Sequence, residues 1–238
     1  MNLRDATCIV TGGTEGIGRA IAEALGGRGA RVALCARTAS TVEESVTALR
    51  DAGVRTIGRV CDVSDEHQVV EFVDVARAEL GPIDVLVNNA GLAHWGPADE
   101  MTVAAFDETM AVNVRGIFLM TRAVLPEMKA RKHGHIVNIA SLAGRNPVPN
   151  AAAYSASKHA VLGFSKSVFA EVRQFGVRVT AVCPGSVVTP FSDKGGHHGM
   201  KNPERKLQAG DVAHSVIAVL ELPDRALLSE LDLRPTTP

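Results

Sequence analysis

Six short runs rich in β-branched and apolar residues recur along this chain with helix-length segments between them, and that alternation constrains its fold more than any other feature. The runs are Ala6 to Val10, Arg31 to Cys35, Arg55 to Cys61, Ile83 to Val87, His135 to Ile139 and Val177 to Val182. Such alternation describes parallel strands joined by crossover helices. The runs are almost continuously apolar, so helices must cover both faces of the sheet. The expectation is an α/β fold, a doubly wound parallel sheet in a three-layer αβα sandwich.

The intervening segments carry helix signals. Ile17, Ile21 and Leu25 form an apolar stripe that Gly26 and Gly27 should end. Ser64 is the expected cap of the next helix, with Val69, Phe72, Val73 and Ala76 on one face and Gly81-Pro82 as its stop. A helical stretch from Val103 to Lys132 contains Pro126, where a kink or break is expected. Another begins near Ala152 and runs to Gly176. No linker, repeat or low-complexity tract divides residues 1–238, which reads as a single domain. The least regular region, Phe191 to Pro203, reads as a mobile loop within a short substrate lid at about 190–210.

Charge and cysteine usage exclude several function classes. Lys plus Arg number 25 against 26 for Asp plus Glu, a net charge of -1 with no basic block, which argues against nucleic acid. No apolar stretch approaches the ~18 residues that would call for a membrane span, so a cytoplasmic protein is expected. Cys8, Cys35, Cys61 and Cys183 stand singly without C-x-x-C spacing and read as buried, reduced thiols. No metal is expected: His197-His198 has no Asp, Glu or Cys set at ligand spacing.

The first run leads directly into Thr11-Gly12-Gly13-Thr14-Glu15-Gly16-Ile17-Gly18 and then a helix. Glycines there let the backbone approach a diphosphate, and a helix N-terminus supplies free N–H groups and positive dipole. The spacing Gly12-x-x-x-Gly16-x-Gly18 differs from the general G-x-G-x-x-G fingerprint. The second run ends at Arg37, where an acidic residue would suit the ribose of NAD and an arginine suits the 2′-phosphate of NADP. Arg37 favours NADP(H); Glu15, placed to repel the same phosphate, keeps NAD(H) possible.

Tyr154-Ser155-Ala156-Ser157-Lys158 puts a phenol and an ammonium at i and i+4, on one helix face. At ~4 Å the charge attraction would lower the phenol pKa by roughly three units, towards general acid–base use. Ser141 follows the fifth run, at the carboxyl edge where open parallel sheets bind ligands. Asn113 sits on an apolar helical face, where a buried amide must find partners.

On these residues the chain resembles the short-chain dehydrogenase/reductase family over nearly its whole length. Thr11-Gly12-x-x-x-Gly16-x-Gly18, with Thr14 and Ile17 inside it, resembles the family's cofactor turn. Cys61-Asp62-Val63 resembles its adenine-contacting strand end, Asn88-Asn89-Ala90-Gly91 its sheet-stabilising motif beside the cofactor, and Pro184-Gly185-Ser186-Val187-Val188-Thr189 its nicotinamide-binding segment. Asn113, Ser141, Tyr154 and Lys158 fall where the family's tetrad falls. The resemblance implies a Rossmann-like fold and a carbonyl or alcohol substrate. It makes Tyr154 the acid–base group and Ser141 the orienter of the reacting oxygen. It gives Lys158 to the tyrosine and the nicotinamide ribose, and Asn113 to a relay water. It also implies a homodimer or homotetramer formed through the helices around Asn113 and Tyr154. The alternatives are a catalytically silent nucleotide sensor, which would not need these proton-transfer groups, and a sugar-nucleotide epimerase relative, disfavoured by length and by the Gly12 to Gly16 gap.

The ending Leu228-Ser229-Glu230-Leu231-Asp232-Leu233-Arg234-Pro235 lacks the glycine-rich strand of fatty-acid ketoacyl reductases, which argues against a ketoacyl substrate. Phe191, Met200 and Leu207 are the apolar candidates of the lid, and His94 and Trp95 the candidates for the cleft wall. His133, His135, His159 and Arg145 read as structural or solvent-facing.

Overall fold

Each apolar run forms a strand: β1 (Thr7–Thr11), β2 (Arg31–Ala36), β3 (Thr56–Val60), β4 (Val85–Asn88), β5 (Gly134–Ile139) and β6 (Val177–Pro184). A two-residue β7 (Val187–Val188), its partner β8 (Leu207–Gln208) and β9 (Glu230–Leu233) follow. The computed structural model describes residues 1–191 and 202–236. In it the large sheet is parallel throughout, in the order β3-β2-β1-β4-β5-β6-β9. Val10 lies opposite Leu34 on one side and Val87 on the other, so β1 is central and fully buried.

The helices are α1 (Gly16–Gly27), α2 (Ala39–Asp51), α3 (Glu66–Leu80), α4 (Val103–Met110), α5 (Gly116–Arg131), α6 (Ala152–Val172) and α7 (Ala209–Glu221). One face of the sheet buries Ile21 and Leu25 of α1, Val46 and Leu49 of α2, and Val216 and Leu220 of α7. The other buries Val69 and Phe72 of α3, Met120 and Val124 of α5, and Val168 and Val172 of α6. That is the three-layer sandwich the continuous apolar runs require.

Two local expectations are corrected, the cap of α3 and the break at Pro126. Helix α1 ends at Gly27, as expected, with Arg28 as its cap, and a Cβ on Gly26 would meet Val54 Cγ2 at 2.5 Å, so close packing explains that glycine. The cap of α3 is Asp65, whose side chain accepts from Gln68 N, while the Ser64 hydroxyl donates to Asp62 Oδ1 at 2.7 Å. The stretch from Val103 to Lys132 is interrupted by a π-helical turn at Ala111–Arg115, and α5 runs unbroken past Pro126, where fully buried Val124 and Met128 hold the helix against the sheet. The terminal segment forms β9 without glycines, its Leu231 opposite Val182. The expected mobile loop with His197, His198 and Met200 falls outside the described residues.

Candidate active site

The chain leaves β1 for β2 and β3, then returns to the opposite side of β1 as β4. At that reversal the strand ends diverge and leave a crevice on the carboxyl edge of the sheet. The cleft there measures about 430 Å³ and is lined by Gly12, Thr14, Gly16, Ile17, Arg37, Asp62, Val63, Asn89, Ala90, Gly91, Ser141, Tyr154, Lys158, Pro184, Gly185, Val187 and Thr189. Residues expected from seven separate stretches of sequence thus line one cleft. Gly18 and Asn113 do not line it and lie behind it.

The glycine turn has a steric cause at each position. Gly12 and Gly16 have φ +62° and +52°, a region that favours glycine. A Cβ on Gly18 would stand 2.1 Å from Gly12 O and 2.4 Å from Asn89 Nδ2, so Gly18 allows the turn to close on itself. Asn89 fastens it from the other side: its Nδ2 donates to Thr11 O at 3.0 Å and to Gly12 O at 3.1 Å. Thr11 Oγ1 accepts from Asn89 N and Ala90 N, both at 3.0 Å, a contribution that sequence reasoning missed. Gly12 N donates to Cys35 O at 2.8 Å, tying the turn to the end of β2. The turn therefore brings exposed backbone and the N-terminus of α1 to the cleft, a donor set that fits a dinucleotide diphosphate.

At the other end of the cleft, Tyr154 and Lys158 project from the first turns of α6 and Ser141 from the end of β5. Tyr154 is half-buried, with the rings of Trp95 and Phe191 at 5.9 and 5.8 Å. Burial pushes its phenol above the ordinary value, and a hydrogen bond with Ser141 opposes that push. The expected lowering by Lys158 is corrected here: Nζ lies 5.6 Å from the ring centroid and donates to Ile139 O at 2.8 Å. Burial brings the Lys158 ammonium itself down to about 8.

Asn113, fully buried in the π-turn, has Oδ1 accepting from Leu92 N at 2.8 Å. Its Nδ2 donates to Leu92 O at 2.9 Å and to Ser157 Oγ at 3.0 Å. The amide thus clamps the chain just beyond Gly91 against the helix that carries Tyr154. Both amide N–H groups are spent in doing so.

The short chain dehydrogenase family model matches residues 6–198. The chain belongs to the short-chain dehydrogenase/reductase family. Like its relatives, it is an NAD(P)-dependent oxidoreductase acting on CH–OH groups. It is 45% identical to the 2-(R)-hydroxypropyl-CoM dehydrogenase of Xanthobacter autotrophicus over 188 residues, 77% of this chain and 75% of that protein. A metagenomic short-chain oxidoreductase solved in complex with NADP superposes with a TM-score of 0.87 at 37% identity, covering 100% of both chains. A variant of actinorhodin polyketide ketoreductase solved with NADPH gives 0.90 at 35% identity, covering 97% of this chain and 96% of that one.

One residue of this dehydrogenase's cleft had no role in the sequence reading. Glu108 of α4 accepts from Arg37 Nη1 at 3.2 Å, and its other oxygen lies 2.9 Å from His94 Nε2. Both contacts hold the Glu108 carboxyl below its usual range, His94 contributing more than Arg37. Glu15 also faces the cleft, but the carboxylate on Arg37 is Glu108, 71 residues away in sequence, a separation no local motif spans. Cys35 and Cys61, read as buried thiols, both line the same cleft, and the proximity of Cys61 together with burial raises the Cys35 thiol.

Proposed function

We propose that this dehydrogenase uses NADP(H) in preference to NAD(H) to interconvert a carbonyl and a secondary alcohol on a small or medium organic substrate. The observation that carries the reading is one cleft with a glycine turn and Arg37 at one end and Ser141, Tyr154 and Lys158 at the other. Gly12, Gly16 and Ile17 would hold the diphosphate, Arg37 the 2′-phosphate, Asp62 and Val63 the adenine, and Pro184 to Thr189 the carboxamide. The bound nicotinamide supplies or accepts the hydride.

Tyr154 then protonates the substrate oxygen during reduction. A phenol raised by burial is fully protonated at neutral pH, which is the form an acid must have. The Ser141 hydroxyl, which lines the cleft with the phenol, is placed to donate to the same substrate oxygen. Lys158 spends one N–H on Ile139 O and keeps two for ribose hydroxyls and for the phenolate left after proton transfer. Asn113 positions this assembly through Leu92 and Ser157; a relay water would have only its remaining Oδ1 lone pair or its main chain to bind. Trp95 and Phe191 beside the phenol suit a carbonyl carried on an apolar group.

No observation favours the nucleotide-sensing alternative. Free, buried thiols at Cys8, Cys35, Cys61 and Cys183 suit a reducing, cytoplasmic setting. Exposed Val103, Phe106 and Phe118 on α4 and α5 support a homo-oligomer, which light scattering at micromolar concentration would report as a dimer or tetramer. The test of function is a panel of ketones and secondary alcohols followed at about 340 nm with each cofactor. Turnover with NADPH exceeding that with NADH is expected, and a panel inert with both cofactors would defeat the reading.

A further inference from the structure

The bridge from Arg37 to Glu108 and on to His94 joins the end of β2 to α4 across the same cleft, and all three side chains line it. The Arg37 and Glu108 side chains are 59% and 43% exposed. An ion pair so accessible to water is held weakly, so a better partner displaces it. A phosphate monoester is such a partner, because it accepts two parallel guanidinium hydrogen bonds and carries more charge than a carboxylate. Once displaced, Glu108 stays tethered to α4 by Thr102-capped helix geometry and still faces the cleft, next to the incoming dianion. Like charges at that spacing repel.

We propose that Glu108 is a cofactor-specificity residue, a carboxylate that competes with a 2′-phosphate for Arg37 and so weakens discrimination in favour of the phosphorylated cofactor. The inference rests on the dinucleotide reading above. It assigns the dual role of the cleft's adenosine end to two residues of opposite charge: Arg37 attracts the 2′-phosphate and Glu108 limits that attraction. His94 holds the second carboxylate oxygen and keeps the charge aimed into the cleft. A cofactor with a free 2′-hydroxyl leaves the bridge closed and meets no such competition.

The test is titration calorimetry of NADP+, NAD+ and 2′,5′-ADP against the wild type, Glu108→Gln, Arg37→Gln and the double variant. Glutamine keeps the shape and removes the charge. The expected result is that Glu108→Gln tightens NADP+ and 2′,5′-ADP by about tenfold and leaves NAD+ within about twofold, with the gain absent when Arg37 is also Gln. Unchanged or weaker NADP+ binding in Glu108→Gln, equal tightening of both cofactors, or a gain that survives without Arg37 would each overturn the assignment. A wild type that prefers NAD+ would instead remove the cofactor preference proposed above, and the Glu108→Gln comparison would still decide the role of Glu108.

Discussion

Tyr154 is the single tyrosine in 238 residues, and its surroundings favour the acid form of the acid–base group that the sequence spacing suggested. Burial raises the phenol, and Lys158 is committed to Ile139 O. Tyr154→Phe should lower kcat by about 10³-fold or more, within the range of acid–base contributions, while cofactor affinity by calorimetry stays within about twofold. Lys158 illustrates a conflict between function and stability. Its folded pKa is brought from 10.5 to about 8 by burial, so at neutral pH a charged ammonium is held where water would serve it better. That burial costs roughly 3 kcal/mol at about 1.4 kcal/mol per unit, and the bond to Ile139 O returns about 1. Lys158→Met should therefore abolish turnover yet raise the thermal midpoint by about 5 °C near pH 7. The sign follows from linkage: between about 8 and 10.5 the unfolded chain binds the proton that the folded chain has shed, so wild-type stability rises with pH there. The advantage of the variant should shrink accordingly near pH 9.5, and an advantage constant with pH would contradict this account.

Elements were legible in the sequence wherever their cause was local. The glycine turn is the clearest case, because the space a Cβ would need is refused within the turn itself. Gly18→Ala places a carbon 2.1 Å from Gly12 O, so the turn must shift and dinucleotide affinity should fall on the order of a hundredfold. Gly27, in the same helix, has open space around its Cβ position, and Gly27→Ala should stabilise the fold by about 1 kcal/mol with affinity unchanged. Circular dichroism melts and calorimetry on the pair separate steric closure from a general effect of filling glycines. The π-turn at Ala111–Arg115 was not legible, because its partners are Leu92 and Ser157, 21 and 44 residues from Asn113. Pro126 drew attention to the wrong place, since a missing N–H is a local signal and the packing that tolerates it is not. β9 escaped notice as a four-residue edge strand of alternating character, with two carboxylates that earn their place by pairing: Arg145 Nε meets Asp232 at 2.7 Å and Lys166 meets Glu230 at 2.9 Å. For the same reason Arg145, read as a surface residue, proves to fasten the loop after Ser141 to the edge of the sheet.

On the scale of the whole molecule, the sheet carries the cleft at its carboxyl edge and a fully buried imidazole near the opposite end. His135, the second residue of β5, is fully buried, with Nε2 2.9 Å from Thr180 Oγ1, and Thr180 Oγ1 in turn donates to Leu228 O at 2.7 Å. Burial is the main cause that brings its pKa from 6.5 to about 3, with Arg178 adding repulsion. The folded chain thus keeps the imidazole neutral across the whole range in which the unfolded chain takes up a proton. Below about 6.5 the unfolded state binds more protons than the folded one, so stability falls as pH falls, and this loss is complete only near 3. No stability is gained or lost through His135 above about 7, where both states are neutral. His135→Leu preserves volume and leaves Thr180 its bond to Leu228 O, so the fold should persist. Thermal midpoints measured near pH 7.5 and near pH 5 should drop by several degrees for the wild type and by clearly less for the variant. Because α3, α5 and α6 cover the face containing Ile136, the loss should be cooperative, with helical signal and tryptophan fluorescence of Trp95 disappearing together. A wild type and variant with parallel pH dependence would place the acid sensitivity elsewhere in the chain.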